Sequence, residues 1–419
     1  MAAPPDRGSP ASDPARALAG LDPASPQFAT EAVDLLLGSS RAAGASDLHL
    51  QPTAEGLDIR HRIDGVLQPM ALLPVRVAPN VVARLKVLAQ LLTYRTDVPQ
   101  EGRIASRPGQ AEVRVSTFPT LLGERAVVRF FAGSGRLVDL DRLGLPGDLL
   151  TSFRSALEET SGLIVVSGPA GSGKTTTLYA CLRALATSAA GHRCLVTLED
   201  PIEAAVAGVV QAQVNPAAGF TLESGLRSLL RQDPEVIAVG EIRDPSTAEM
   251  AFQAALTGHL VLTTFHAGSA SGAIGRLAEM GVEPYLLRSG LRAVVALRLV
   301  RRLCDACARP ISGDDPAMLG LPLDSARAAS ACDACAGTGY RGRLPIAEFL
   351  LPGWSLVSRA VLGRADVDRI EEAARGSGMI RLWDRAVAAV AAGVTSPAEV
   401  RRVLGVQTPT GSGRPAPGP

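Results

Sequence analysis

The stretch Gly168-Pro169-Ala170-Gly171-Ser172-Gly173-Lys174-Thr175 decides the fold. It follows the apolar run LIVVS (163–167) and precedes a helical pattern over 175–186, the strand–loop–helix setting in which G-x-x-x-x-G-K-[ST] forms a phosphate loop. Glycines let successive backbone N–H groups turn inward around a phosphate, and the helix start, with Thr175 and Thr176, adds the positive end of its dipole. Lys174 is expected to reach the terminal phosphates and Thr175 to ligate Mg²⁺. Lysine stands at Lys86 and Lys174 alone among 42 basic residues, so its place on this loop is informative. A Gly-rich turn without function is the weaker alternative.

Beyond residue 145 the runs LIVVSG, RCLVTLED, VVQAQV, VIAVGE and LVLTTFHA are short, rich in Val, Leu and Ile, and unalternating. Such runs predict buried parallel strands with helical crossovers, an α/β core. Upstream, LDIRHRIDG and AEVRVSTF alternate with period two around a helical run over 80–92, which predicts a smaller α+β domain. The expected organisation is a disordered leader over 1–27, an α+β domain over 28–131, a linker over 132–145, the nucleotide-binding domain over 146–407 and a disordered tail over 408–419. The 419 residues carry a net charge of +1, are 47% hydrophobic and only 4% aromatic. This argues against a polyanion-coating protein, a disordered chain and a base-stacking platform. No apolar run spans a bilayer and the N-terminus is not a secretory signal, so a cytoplasmic protein is expected.

Glu241 ends the run VIAVG, where an acidic residue beside a phosphate loop supports Mg²⁺ or caps the next helix. The run Glu199-Asp200-Pro201-Ile202-Glu203 follows LVTL; carboxylates there face the ligand crevice of an open sheet and one of them orients or deprotonates the attacking water, or the run is a solvated turn. His259 and His266 flank LVLTTF and are two of five histidines; they are nucleotide-sensing or ordinary packed residues. Four of the six cysteines form the pairs Cys304–Cys307 and Cys332–Cys335. Two Cys-x-x-Cys pairs suit a closed, structural Zn²⁺ site, with a redox dithiol as the alternative. Cys181 and Cys194 are expected to pack in the core.

Taken in order, GPAGSGKTTTLYA, TLEDPIE, LRQDPEVIAVGEIRD and LTGHLVLTTFHA resemble the Walker A, Asp, Walker B and His boxes of the type II/type IV secretion ATPase superfamily, in its GspE- and PilB-type assembly branch. The resemblance takes in SDLHLQP, RIDGVL, PQEGRI and RVSTFPTLLGERAVVRF upstream and GVEPYLLRSGLRAVVALRLVRRLC and GTGYRGRLPIAE downstream, roughly residues 44 to 400. It implies a RecA-like P-loop ATPase core with a PAS-like N-terminal domain and a zinc knuckle over 304–335. It implies also a homohexamer that hydrolyses ATP to drive an inner-membrane platform protein assembling pilin-like subunits. Within it, Lys174 and Thr175 bind phosphate and Mg²⁺, Glu199 activates water, Glu241 supports Mg²⁺, and His259 and His266 sense the γ-phosphate. Arg103, Arg114 and Arg129 resemble the N-terminal-domain arginines that reach the triphosphate, or are ordinary members of an Arg-rich chain.

The sequence departs from its relatives at Tyr94-Arg95-Thr96-Asp97-Val98, where they carry a basic pair. The further N-terminal domain of many relatives is not expected ahead of SDLHL, so recruitment is expected to run through the core or by another route. The tetracysteine segment favours assembly over a pilus-retraction or DNA-uptake motor. A non-hydrolysing nucleotide-dependent scaffold and a nucleic-acid translocase are the readings from other classes. The charge balance and scarce aromatics weigh against direct nucleic-acid binding.

Overall fold

In the computed structural model the described residues are 14–104, 113–130, 138–188, 193–313 and 315–405. The chain divides into two units, Met1–Arg136 and Leu137–Pro419.

The first unit holds helices α1 (Pro14–Ala19), α2 (Phe28–Ala42) and α3 (Ala78–Leu88). Its strands are β1 (Asp47–Pro52), β2 (Leu57–Ile63), β3 (Val66–Leu73), β4 (Gln100–Ile104), β5 (Val113–Thr120) and β6 (Gly123–Phe130). They form an antiparallel sheet in the order β3-β2-β1-β6-β5-β4. The period-two pattern sends Val113 and Val115 into a core with Leu48, Leu50 and Val128, where α2 and α3 add Val33, Leu36, Val81 and Leu85. The intervening residues, Arg114 among them, belong to the opposite face.

Two boundaries differ from expectation. The 1–27 leader carries α1, and Leu18 is 2% exposed in the first unit's core. One apolar anchor in a six-residue helix is too little for periodicity to register, and burial supplies what the pattern lacks. In the 132–145 linker, Leu140 is 2% exposed within a single 3₁₀ turn and packs in a core of the second unit. Residues 1–13, 131–137 and the tail over 408–419 lie outside the described residues.

The second unit runs α4 (Gly147–Glu158), β7 (Gly162–Ser167), α5 (Lys174–Ala186), β8 (Leu195–Glu199), β9 (Val210–Gln213), α6 (Leu222–Leu229), β10 (Val236–Val239), α7 (Pro245–Leu256) and β11 (Leu260–Phe265). It continues with α8 (Ala270–Glu279), α9 (Pro284–Gly290), β12 (Leu291–Leu303), β13 (Arg309–Ser312), β14 (Ser325–Ala328) and β15 (Tyr340–Leu350). Helices α10 (Ser355–Leu362), α11 (Val367–Gly376), α12 (Leu382–Ala391) and α13 (Pro397–Leu404) complete it. The main sheet has the order β15-β12-β7-β11-β10-β8-β9, parallel except for β15, which runs antiparallel to β12. Buried on both faces, β7 sends Leu163 and Val165 into one apolar layer and Ile164 and Val166 into the other.

Two expectations fail locally. The run VVQAQV forms the edge strand β9, with Val210 exposed, because only β8 pairs with it. Cys194 precedes β8 and is exposed, whereas Cys181 is buried as expected. On β15, Glu348 is 3% exposed and its carboxylate accepts the backbone N–H of Ala270 (2.6 Å) and of Leu382 (2.9 Å). The positive ends of α8 and α12 thus meet on one carboxylate, whose burial pushes its pKa up while those N–H groups oppose the shift.

Candidate active site

The phosphate loop joins β7 to α5, and its glycines answer to geometry. A side chain on Gly168 would come 2.3 Å from Ser172 Oγ and 2.7 Å from the Leu297 carbonyl of β12. Gly173, at φ 96°, takes the left-handed turn that starts α5. Lys174 is 8% exposed, and its Nζ donates to the carbonyls of Gly168 (2.8 Å) and Pro169 (3.1 Å). Burial lowers its pKa; Glu241 opposes that shift and Arg298 adds to it.

Beside the loop lies a cleft of about 240 Å³ lined by Ala170, Gly171, Lys174, Thr175, Tyr179, Glu199, Asp200, Glu241, Arg243 and His266, among others. It sits outside the carboxyl ends of β8, β10 and β11, where open α/β sheets bind ligands. Thr176 is exposed on the first turn of α5. Glu241 accepts a 2.6 Å bond from Arg243 Nε through Oε2, and its Oε1 lies 2.9 Å from His266 Nε2. The capping role open to the GEIRD run belongs to Asp244 instead: it accepts the Thr247 N–H at 2.8 Å and starts α7. Glu199 is 4% exposed and accepts three bonds, from Tyr179 Oη, Thr197 Oγ1 (2.6 Å) and Gln211 Nε2 (3.0 Å).

His259 stands apart from this group. It precedes β11, its carbonyl accepts the N–H of Gly162 at the start of β7, and its Nδ1 lies 3.0 Å from the Ala254 carbonyl. The six residues of β11 separate it by about 20 Å from the strand's cleft end. The expectation that it senses the γ-phosphate is therefore corrected for this chain's own cleft: His259 closes the C-terminal turn of α7.

In the first unit, Arg103, Arg114 and Arg129 line a single depression of about 570 Å³. The ladder sets Arg103 opposite Arg114 and Arg114 opposite Arg129. Asp47, 6% exposed, lies opposite both Arg129 and Arg62; its Oδ1 accepts from Arg129 Nε at 2.9 Å and its Oδ2 lies 3.7 Å from Arg62 Nε. Like charges directly across a ladder are unfavourable, so a row of guanidinium groups that Asp47 and Glu101 offset only in part is an arrangement suited to a polyanion.

The profile of the family described as Type II/IV secretion system protein matches residues 24–402. The chain belongs to that family. It is 41% identical over 379 residues to the type II secretion system ATPase E of Vibrio cholerae, covering 88% of this chain and 74% of that one. To the type IV pilus assembly ATPase PilB of Thermus thermophilus it is 38% identical over 365 residues, covering 85% of this chain and 41% of the relative. The crystal structure of the Legionella pneumophila ATPase DotB shares the fold, at TM-score 0.66 and 20% identity over 91% of this chain and 97% of that one. Family membership and the phosphate loop together make this chain a secretion-family ATPase. Among the described residues no helix is long and apolar enough to cross a membrane.

In this secretion-family ATPase the sulfurs of Cys304, Cys307, Cys332 and Cys335 all lie within 4.8 Å of one another. The Cys304–Cys332, Cys307–Cys335 and Cys332–Cys335 separations are 3.9, 3.8 and 3.7 Å. A tetrahedral Zn²⁺ with Zn–S bonds of about 2.3 Å has sulfur–sulfur edges of about 3.8 Å, so the donors fit that ion and leave no open position. The short ribbon β13–β14 fills the span between the two pairs.

Sequence reasoning missed Tyr179, Thr197 and Gln211 around Glu199, Arg243 on Glu241, and Asp47 on Arg129. The motif TTTLYA and the D of SDLHLQP were in view, but each side chain's partner is fixed by packing or by strand register.

Proposed function

We propose that this chain is a cytoplasmic, Mg²⁺-dependent motor that works as a homohexamer on an inner-membrane platform protein and powers assembly of pilin-like subunits in a type II secretion system or type IV pilus. The observation that carries the reading is the convergence of Lys174, Thr175, Glu199, Glu241 and His266 on one cleft. The backbone N–H groups of the loop and Lys174 hold the phosphates, and Thr175 with Glu241 would hold Mg²⁺, which neutralises charge on the β- and γ-phosphates when bound. Glu199 orients the attacking water, and His266 carries information about the γ-phosphate to Glu241, the carboxylate it faces. Arg103, Arg114 and Arg129 supply positive charge to the triphosphate, in the manner of arginine fingers. A Zn²⁺ on Cys304, Cys307, Cys332 and Cys335 fixes the ribbon between them. The assembly role is supported by the relatives named for type II secretion and pilus assembly.

The test is twofold. Phosphate release by the purified chain is expected to depend on Mg²⁺ and to vanish in Glu241→Gln. Crosslinked capture of that variant from native membranes is expected to return a polytopic membrane protein with pilin-like subunits. Recovery of only soluble proteins or nucleic acid, from a variant that still binds ATP, sinks the assembly role.

A further inference from the structure

We infer that Tyr179 is a positioning residue for hydrolysis, aiming the Glu199 carboxylate from inside the helix that the phosphate loop begins. The inference rests on Glu199 as the carboxylate that orients the attacking water. Tyr179 lies five positions after Lys174 on α5 and is 2% exposed. Its hydroxyl donates to Glu199 Oε2 and accepts the N–H groups of Glu203 (3.0 Å) and Ala204 (3.4 Å). One oxygen therefore joins the phosphate-loop helix, the carboxylate and the segment that follows β8.

Counting acceptor positions shows why this contact differs from the others. A carboxylate offers about four, two on each oxygen. Thr197 and Gln211 both donate to Oε1, which fills that atom. Among the described residues Tyr179 alone donates to Oε2, which leaves one position there, on a residue that lines the cleft. The direction of that remaining position is fixed by how Oε2 is held. Pinned at both oxygens, the carboxylate cannot swing about its Cγ–Cδ bond; without the hydroxyl it is anchored through Oε1 alone. Because α5 starts at the loop that cradles phosphate, any shift of the helix reaches Oε2 through one side chain.

The test is Tyr179→Phe in the full chain, which keeps the ring in its packed site and removes only the hydroxyl. The expected result is a kcat lowered about 10- to 100-fold, the scale of a misplaced reacting group. KM for ATP, affinity for a fluorescent ATP analogue and the thermal midpoint should stay close to those of the parent. Thr197→Val, which loosens only Oε1, is expected to cost about threefold or less. Tyr179→Phe/Glu199→Gln should turn over no more slowly than Glu199→Gln alone.

A Tyr179→Phe protein with parental kcat, beside an inactive Glu199→Gln, overturns the inference and leaves Glu199 in its role. A parallel loss of nucleotide affinity and kcat makes the tyrosine a packing element, and equal damage from Thr197→Val removes the distinction between the two oxygens; either overturns it. Near-parental turnover in Glu199→Gln removes the assignment of Glu199 itself, and the inference with it.

Discussion

The cleft of the second unit and the arginine row of the first assemble charge in different ways. In the cleft, each functional group comes from a short contiguous string at the end of a buried strand: Lys174 after β7, Glu199 at the end of β8, Glu241 after β10, His266 after β11. In the row, Arg62, Asp47, Arg129, Arg114 and Arg103 lie on five neighbouring strands, β2, β1, β6, β5 and β4. No local motif makes them neighbours; the antiparallel register does. A parallel sheet gathers its site at strand ends, where sequence order is enough. An antiparallel sheet gathers its site across the ladder, where one slip in register would disperse it.

Removing charge from each region in turn separates the two modes of assembly. Lys174→Ala and Glu241→Gln are each expected to lower phosphate release at least about a thousandfold, on the scale of a lost phosphate clamp. Near-parental rates in both would dissolve the cleft as the catalytic centre. Arg114→Ala, in the middle of the row, is expected to cost at least about a hundredfold in kcat. Asp47→Asn, which leaves every guanidinium present but releases Arg129, should cost roughly tenfold. Equal rates for Asp47→Asn and parent would show that the row needs no aiming.

The two histidines at the ends of β11 separate the cleft from the far end of the same sheet. His266→Ala, which deprives Glu241 of its 2.9 Å neighbour, is expected to reduce kcat about tenfold to a hundredfold. His259→Ala should leave kcat and KM within about twofold, because its partners are the end of α7 and the start of β7. Steady-state kinetics on the pair decide, and the reverse ranking would return His259 to the nucleotide.

Stability measurements give the smaller effects. Elemental analysis is expected to read one zinc per chain, and Cys304→Ser to abolish it and lower the thermal midpoint by roughly 3–5 °C, the size of an about 2–3 kcal/mol loss in a domain this large. Full zinc retention would show that the other sulfurs suffice. In the first unit, burial holds the pKa of His61 below its ordinary 6.5. The unfolded chain therefore binds this proton more readily than the folded one, so stability rises with pH through that value and is lost as pH falls below about 6.5. His61→Phe is expected to flatten the decline between about pH 7 and 5 by roughly 1–2 °C in the thermal midpoint. An unchanged slope would place the proton uptake elsewhere.

Much of the core and of the cleft was legible because its signals are local. The loop 168–175 carries its own chemistry, and four of the five apolar runs became buried parallel strands. The fifth, β9, takes a place at the edge; its Gln211 and Gln213 mark it as less apolar than the others, but strand order is set by pairing across the sheet. His259 misled for a similar reason: Gly258-His259 and His266 sit either side of one strand, close in sequence and at opposite ends of the sheet. Asp47 was visible as a letter in SDLHLQP, but its link to Arg129 spans 82 positions and exists only once β1 pairs β6. The buried hydroxyl of Tyr179 was hidden behind helix periodicity, which reads an inward tyrosine as packing.

Strand β12 has a consequence of its own. Its 13 residues run about 43 Å, with the Leu297 carbonyl against the phosphate loop and Cys304 directly after its last residue. The strand works as a ruler that sets the spacing between the nucleotide loop and the cysteine ribbon. Deleting one residue between Leu297 and Cys304 would do more than shorten it. Side chains up to the irregularity in the β12–β15 pairing at Arg301–Leu303 would turn to the opposite face, and Cys304 would shift along the strand from its three sulfur partners while the loop contact stayed intact. Length and parity along this strand are therefore inherited together: insertions or deletions here are tolerable only where they also rebuild the tetracysteine cluster.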